Sequence, residues 1–154
     1  MPTISSNIIF CEDVREEIGG TSSIVGITGP ILTVPSKAIE HQAQNEDKRL
    51  EVRRLCVFYY TDIDGIEEVD AEFELLLSHE LDFPLPSPLR QRVKNLGISG
   101  FPWRIKASLR VEGIPFVEGM RLCARSKVGD STHETYLLMH TIPLQSSSQD
   151  APKK

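Results

Sequence analysis

The sequence has few of the residues from which specialised sites and scaffolds are built. Aromatic residues make up 6% of the 154 positions, and the 3 cysteines lack the paired spacing of a zinc site or a disulfide framework. No apolar run approaches the ~18 residues of a membrane span. Residues 1–12 lack the basic flank and apolar stretch of a secretory signal. We therefore expect a cytoplasmic protein with buried, reduced cysteines and with no metal or cofactor.

What is present fits one ordinary globular domain. Apolar residues make up 40% and charged residues 25% of the chain, which excludes collagen-like and wholly disordered proteins. A chain of this length forms one domain and buries a core without staples. Residues 145–154 hold no large apolar side chain. We therefore predict a single domain over residues 1–144 and a disordered tail over residues 145–154.

Two segments alternate strictly between apolar and polar residues. In Val69–Leu77 every odd position is apolar and three of the four even positions are acidic. In Trp103–Val111 every odd position is apolar and three of the four even positions are basic. A period of two predicts antiparallel strands with one buried and one solvent-facing side. Trp103 is in phase with the buried side, so we predict it to be a core residue.

Six further strands are predicted from shorter apolar segments between glycine-marked or proline-marked turns. They cover residues 8–14, 22–28, 31–34, 50–61, 120–127 and 132–142. The 50–61 segment is apolar on both faces and is therefore placed at the centre of a sheet. About eight short strands favour an all-β fold, a two-sheet antiparallel immunoglobulin-like sandwich, with a closed barrel as the alternative.

Two segments break the strand pattern. Residues 88–96 are predicted as one short helix, because Ser87 can cap it, Pro88 suits its first position and Gly97 can end it. Leu89, Val93 and Leu96 would form its apolar stripe. Residues 36–48 are rich in Ala, Glu, Gln and Lys, and they fit either one or two helical turns or a mobile loop.

The N-terminal region resembles a known family of unknown function. An apolar strand with an acidic end, Ile8–Arg15, is followed by Gly19-Gly20 and by a Ser-aliphatic-x-Gly return strand, Ser23–Gly26. An aliphatic-x-x-Val-Pro step, Ile31–Pro35, comes next. This pattern over residues 8–35 resembles short bacterial and phage-associated proteins that look like single β-sandwich domains. The resemblance implies a bacterial β-sandwich and assigns no activity or functional residue.

No local motif predicts catalysis. The chain has no G-x-S-x-G nucleophile elbow and no phosphate-binding glycine loop. The acidic run Asp62–Glu68 fits a β-turn better than a calcium loop, because only one acidic residue has the required spacing before Gly65. The alternative is a ligand-binding or enzymatic site assembled from loops, for which the candidates are His79, Asp82 and His133.

Charge is distributed unevenly along the chain. Residues 1–88 hold 6 basic and 17 acidic residues, whereas residues 89–154 hold 11 basic and 5 acidic ones, within a net charge of -5. If the Trp103 and Met120 strands are neighbours, six basic residues form one surface. They are Arg104, Lys106, Arg110, Arg121, Arg125 and Lys127.

Three interpretations of this charge pattern are open. Acidic and basic strands can share a sheet and pair their charges, which implies no partner. Alternatively, the basic face can bind an acidic protein surface or a second copy of the chain. Nucleic acid is a third candidate, disfavoured because the face lacks interleaved aromatic residues for stacking on bases. We predict a small non-enzymatic binding or accessory module that contacts another protein through a charged sheet face, without membrane association.

Overall fold

Nine strands account for most of the chain in the computed structural model, which describes residues 1–35, 51–78 and 83–142. The strands are β1 (Thr3–Glu16), β2 (Ser22–Ile27), β3 (Ile31–Pro35), β4 (Glu51–Asp64), β5 (Glu68–Leu77), β6 (Leu89–Lys94), β7 (Trp103–Pro115), β8 (Arg121–Val128) and β9 (Ser131–Ile142). All eight predicted strands are present. The described residues contain no helix.

The strands form two sheets. The first sheet has the order β2-β1-β4-β7, and the second has the order β3-β9-β8-β5-β6. All neighbours are antiparallel except β3 and β9, which are parallel. The Val69 strand and the Trp103 strand lie in different sheets, which the sequence left open. β4 lies inside the first sheet, as predicted from its two apolar faces.

One cluster of buried side chains draws on both sheets. Tyr59 of the first sheet is fully buried, and its ring centroid lies 5.2 Å from that of Phe73 in the second. The Tyr59 hydroxyl donates a 2.6 Å hydrogen bond to the Glu74 carbonyl. Trp103 packs against the same cluster while its Nε1–H donates to the Ile66 carbonyl at 2.7 Å. These polar ends keep their partners while the rings contribute apolar area.

The prediction of a helix over residues 88–96 is wrong. Leu89–Lys94 is the edge strand β6, which pairs antiparallel with β5. Basic residues occupy every even position of β6, and its two apolar residues, Leu89 and Val93, occupy odd positions. Arg90 and Arg92 lie directly opposite Glu72 and Asp70 of β5. Capping signals and an apolar stripe of three residues favour a helix only weakly, because tertiary contacts commonly override helix propensity. Here pairing with the acidic strand β5 outweighs them.

Several expectations concern parts of the chain outside the described residues. They are the conformation of residues 36–48, the disordered tail 145–154, and the candidates His79 and Asp82. The loop that follows residue 82 is described, and there Phe83 and Leu85 pack against the main core cluster. Among the described residues, no helix is long and apolar enough to cross a membrane.

Candidate interaction surfaces

The six basic candidates are divided between the two sheets. Arg104, Lys106 and Arg110 lie on β7 in the first sheet, whereas Arg121, Arg125 and Lys127 lie on β8 in the second. β7 and β8 are therefore not neighbours, and the condition for a single basic surface is not met. Five of the six lie within 4.0 Å of a carboxylate.

Arg104 is held by its neighbour across the sheet. It lies opposite Asp62 on β4, and its Nε and Nη2 donate to the two carboxylate oxygens at 2.6 and 2.9 Å. Its guanidinium also stacks over the Tyr60 ring, 4.9 Å from the centroid. The hydrogen bond from Arg104 holds the pKa of Asp62 below its usual range. This carboxylate is thus committed to an arginine, which favours the β-turn interpretation over a calcium loop.

Lys106 holds the tip of the hairpin formed by β1 and β2. Its Nζ donates to the Gly20 carbonyl at 2.7 Å and to Ser22 Oγ at 2.9 Å, with Glu16 at 3.6 Å. Lys106 lies level with Asn7 across the sheet, far from the end of β1. The hairpin must therefore fold back over the outer face of the first sheet to bring its tip to this lysine.

Arg110 secures the base of the same hairpin. Its Nη2 donates to Asp13 Oδ1 at 2.7 Å. Desolvation opposes ionisation of Asp13, but the Val14 backbone N–H and the Arg110 charge outweigh it and lower the pKa of this carboxyl. The basic side of β7 therefore binds a segment of its own chain.

Beneath the hairpin lies a second, smaller apolar cluster, built from Cys11, Cys56 and Phe58 and packed against Val14 and Ile24 of the hairpin. Cys11 and Cys56 are opposite each other on β1 and β4, and both thiols are unpaired. Burial raises the pKa of Cys11 to about 12, so this thiol stays protonated and unreactive. The cluster explains why β4 is apolar on both faces.

The acidic strand β5 lies between two basic strands, β6 and β8. Arg125 donates to Glu134 on β9 at 2.6 Å and to Glu74 on β5 at 3.0 Å. Tyr136 and Arg125 both donate to Glu134 and hold its pKa below the usual range. Charges of opposite sign meet within one sheet here, as the first interpretation of the charge pattern required.

Two sequence candidates have few contacts. Arg121 makes no ion pair within the described ranges, although its backbone N–H donates to Ser78 Oγ. His133 lies 3.4 Å from Thr135 Oγ1, its neighbour on the same strand face. The described residues contain no group of three or more His, Cys, Asp or Glu that could hold a metal ion.

A surface that the sequence analysis missed is the loop between β6 and β7. Its side chains Leu96, Ile98 and Phe101 have exposed fractions of 96%, 71% and 62%. We call these three residues the apolar tip. Apolar residues interleaved with Gly97 and Gly100 were the available signal, but the helix prediction assigned Leu96 to a buried stripe.

The apolar tip is held in shape by hydrogen bonds at its base. Asn95 Nδ2 donates to Glu67 Oε2 at 3.1 Å, and its Oδ1 accepts from the Gly97 N–H at 2.9 Å. Glu67 Oε1 accepts from the Gly100 N–H at 2.9 Å, and Phe101 N–H bonds back to the Ile98 carbonyl at 3.2 Å. The loop therefore presents its apolar side chains from an ordered backbone.

No protein-family model and no curated protein matches the chain. The resemblance over residues 8–35 stays a prediction, and the surfaces described above carry the functional inference.

Proposed function

We propose that the two sheets form an immunoglobulin-like sandwich that serves as a non-enzymatic protein-binding module. The shared core of both sheets and the Tyr59–Glu74 hydrogen bond between them support the sandwich. A cytoplasmic bacterial setting extends this proposal, and the unpaired state of Cys11, Cys56 and Cys123 supports a reducing compartment.

The apolar tip is the observation that carries the binding proposal. Three large side chains, Leu96, Ile98 and Phe101, are exposed on a loop whose backbone is fixed by Glu67 and Asn95. Prearranged apolar anchors lose little conformational entropy on binding, and aromatic anchors are typical of interface hot spots. We propose that the tip inserts into an apolar pocket of a partner protein.

The charged faces support binding less well than the apolar tip does. Five of the six basic candidates already contact carboxylates, so an acidic partner would have to displace intramolecular pairs. The same pairing weakens the case for nucleic acid, which needs unpaired cations to replace counterions. A net charge of -5 also disfavours the anionic surface of a membrane as the occupant of the apolar tip.

The test compares two variants that remove exposed apolar side chains at different places. In the first, Leu96, Ile98 and Phe101 are all replaced by Ser. In the matched control, Ile18→Ser and Ile27→Ser change side chains that are 103% and 69% exposed on the β1–β2 hairpin. Tagged proteins are cross-linked in the producing cells, and the captured proteins are quantified by mass spectrometry.

Recovery of a specific partner should fall at least ~10-fold with the first variant and should not change with the control. A tenfold loss of affinity corresponds to ~1.4 kcal/mol, and a hot-spot cluster contributes more than that. Equal recovery with wild type and the first variant would count against docking through the tip. Cosedimentation with vesicles of neutral and of anionic lipid tests whether the apolar tip binds a membrane instead. Cosedimentation that depends on the tip would replace the protein partner with a membrane.

A further inference from the structure

Among the residues that the structure describes, the two sheets end in four edge strands, and three of these are short or distorted. β3 has five residues and ends in a proline, and β6 has six residues and follows Pro88. In β2, Gly26 has a φ of +64°, which departs from strand geometry. Short strands, prolines and distortions are the devices by which proteins stop edges from pairing with other chains.

β7 lacks these three devices over most of its length. Its outer face carries charged side chains, which are a further such device but oppose pairing only where like charges lie opposite each other. It pairs with β4 in one regular register from Trp103 to Glu112, with no proline and no positive φ before Gly113. Its other side has no strand partner within residues 1–35, 51–78 and 83–142. A long regular edge with unpaired backbone groups is a template for strand addition.

We propose that two copies of this chain pair antiparallel through β7 and join their first sheets into one sheet of eight strands. Pairing a strand with its own copy across a two-fold axis satisfies both edges at once and closes the assembly. The proposal concerns a surface separate from the apolar tip and does not depend on the function proposed above.

The charges on the outer face of β7 select the register. With the two-fold axis at Leu109, Lys106 of each copy lies opposite Glu112 of the other, and Ser108 lies opposite Arg110. An axis at Ala107 places Arg104 opposite Arg110 twice. An axis at Ser108 places Lys106 opposite Arg110 twice, although it also places Arg104 opposite Glu112. An axis at Val111 pairs Arg110 with Glu112 but overlaps only residues 107–115 of β7. Like charges directly opposite destabilise a strand pair, so the Leu109 register, which has no like pair and overlaps the whole strand, is favoured.

Both partners in this register have bonding capacity left. Lys106 Nζ has three donors. The Gly20 carbonyl and Ser22 Oγ take two of them, and Glu16 Oε2 lies at the longer distance of 3.6 Å. Glu112 is 65% exposed, and its ion pair with Arg54 is long, at 3.9 Å. A second chain can therefore add the Lys106–Glu112 contact without removing a short one.

Light scattering coupled to size exclusion tests the assembly on the full chain. We expect a mass of twice 17.3 kDa at micromolar to submillimolar concentration. Glu112→Lys should weaken dimerisation at least tenfold, because it places lysines opposite each other twice. Asp130→Lys is the matched control, since it makes the same charge change at the exposed β8–β9 turn of the second sheet and should stay dimeric.

A zero-length carbodiimide link between Lys106 and Glu112 tests the register in the unmutated protein. Six residues along one strand span about 20 Å, so the two side chains of one chain cannot meet and the link must join two copies. A monomer across the concentration range, a dimer unaffected by Glu112→Lys, or links only elsewhere would each overturn the proposal. A variant that no longer dimerises but still captures the partner protein would show that the dimer and the apolar tip act independently.

Discussion

Two buried hydroxyl groups of the core, on Thr61 and Ser126, differ in whether they have a partner. Both side chains are fully buried. Thr61 Oγ1 lies 2.9 Å from Ser6 Oγ, which satisfies it. Ser126 Oγ has no hydrogen-bond partner in the described part of the chain. A buried polar atom without a partner keeps the cost of leaving water and gains nothing in return.

We therefore expect Ser126→Ala to raise the free energy of unfolding by about 1 kcal/mol, because the variant removes a group that costs about 1–3 kcal/mol when unpaired. Urea unfolding followed by fluorescence or circular dichroism measures the change. Thr61→Val is the paired control and should lower stability, since it breaks a made bond. Equal losses in both variants would show that Ser126 is satisfied in solution.

At this scale the sequence predicted orientation and could not predict partners. Phe73 and Ile105 are buried where alternation placed them, since a period of two fixes which face a side chain occupies. The sequence could not predict that Arg104 contacts Asp62. That contact depends on the register of β7 against β4, two strands that are distant in sequence.

At the scale of elements, the β1–β2 hairpin is the clearest case of sequence and structure each supplying part of the answer. The Gly19-Gly20 turn and both strands were predicted and are confirmed. The fold-back over the first sheet was not predicted. It depends on Lys106 and Arg110 of β7, which lie far along the chain and bind the hairpin through Gly20, Ser22 and Asp13.

Replacing Lys106, which holds the tip of the β1–β2 hairpin, should expose the two thiols beneath the hairpin. We expect Lys106→Met to speed alkylation of Cys11 and Cys56 about 3- to 10-fold. Losing a contact of about 0.7–1.4 kcal/mol raises the population of the open hairpin by that factor. Timed labelling with iodoacetamide and peptide mass spectrometry measures the rates.

Cys123 provides the control within the same molecule, because it lies on β8 of the other sheet, away from the hairpin. Its labelling rate should not change in Lys106→Met. A parallel rise at all three cysteines would indicate general destabilisation instead of hairpin opening. Unchanged rates at Cys11 and Cys56 would show that the lysine does not hold the hairpin closed.

At the scale of the whole molecule, the fold brings the acidic and basic parts of the sequence together on neighbouring strands. The strand order places acidic β5 between basic β6 and β8, and it sends the other basic strand, β7, to the first sheet. The acidic and basic parts of the sequence thus meet as neighbours. Exposed pairs of this kind contribute little each, so they set register and solubility more than stability.

The paired carboxylates predict how stability depends on pH. The pKa values of Asp13, Asp62, Glu118 and Glu134 are all lowered in the folded state. A lowered folded pKa contributes stability that is present above the unfolded pKa and lost as pH falls through the folded one. The melting temperature should stay nearly constant from about pH 8 to 5 and fall below about pH 4.

Carboxyl-carbon NMR titration checks the cause at one site. Asp62 should titrate below its ordinary 3.8 in the natural protein and return toward that value in Arg104→Met, which removes the first cause of the shift. A melting temperature that rises on acidification would contradict the sign of the effect. An unshifted Asp62 in the natural protein would contradict the Arg104 contact.

The sequence by itself determined the strands and their buried faces, because alternation and turn residues act over a few positions. Eight of the nine strands followed from it. Only the tertiary structure decided that residues 89–94 form a strand and that the six basic residues occupy two sheets. It also decided that β7 is the last strand of its sheet within the described part of the chain. Those outcomes depend on which distant segments pair, and such pairing is a balance over the whole chain that no local pattern contains.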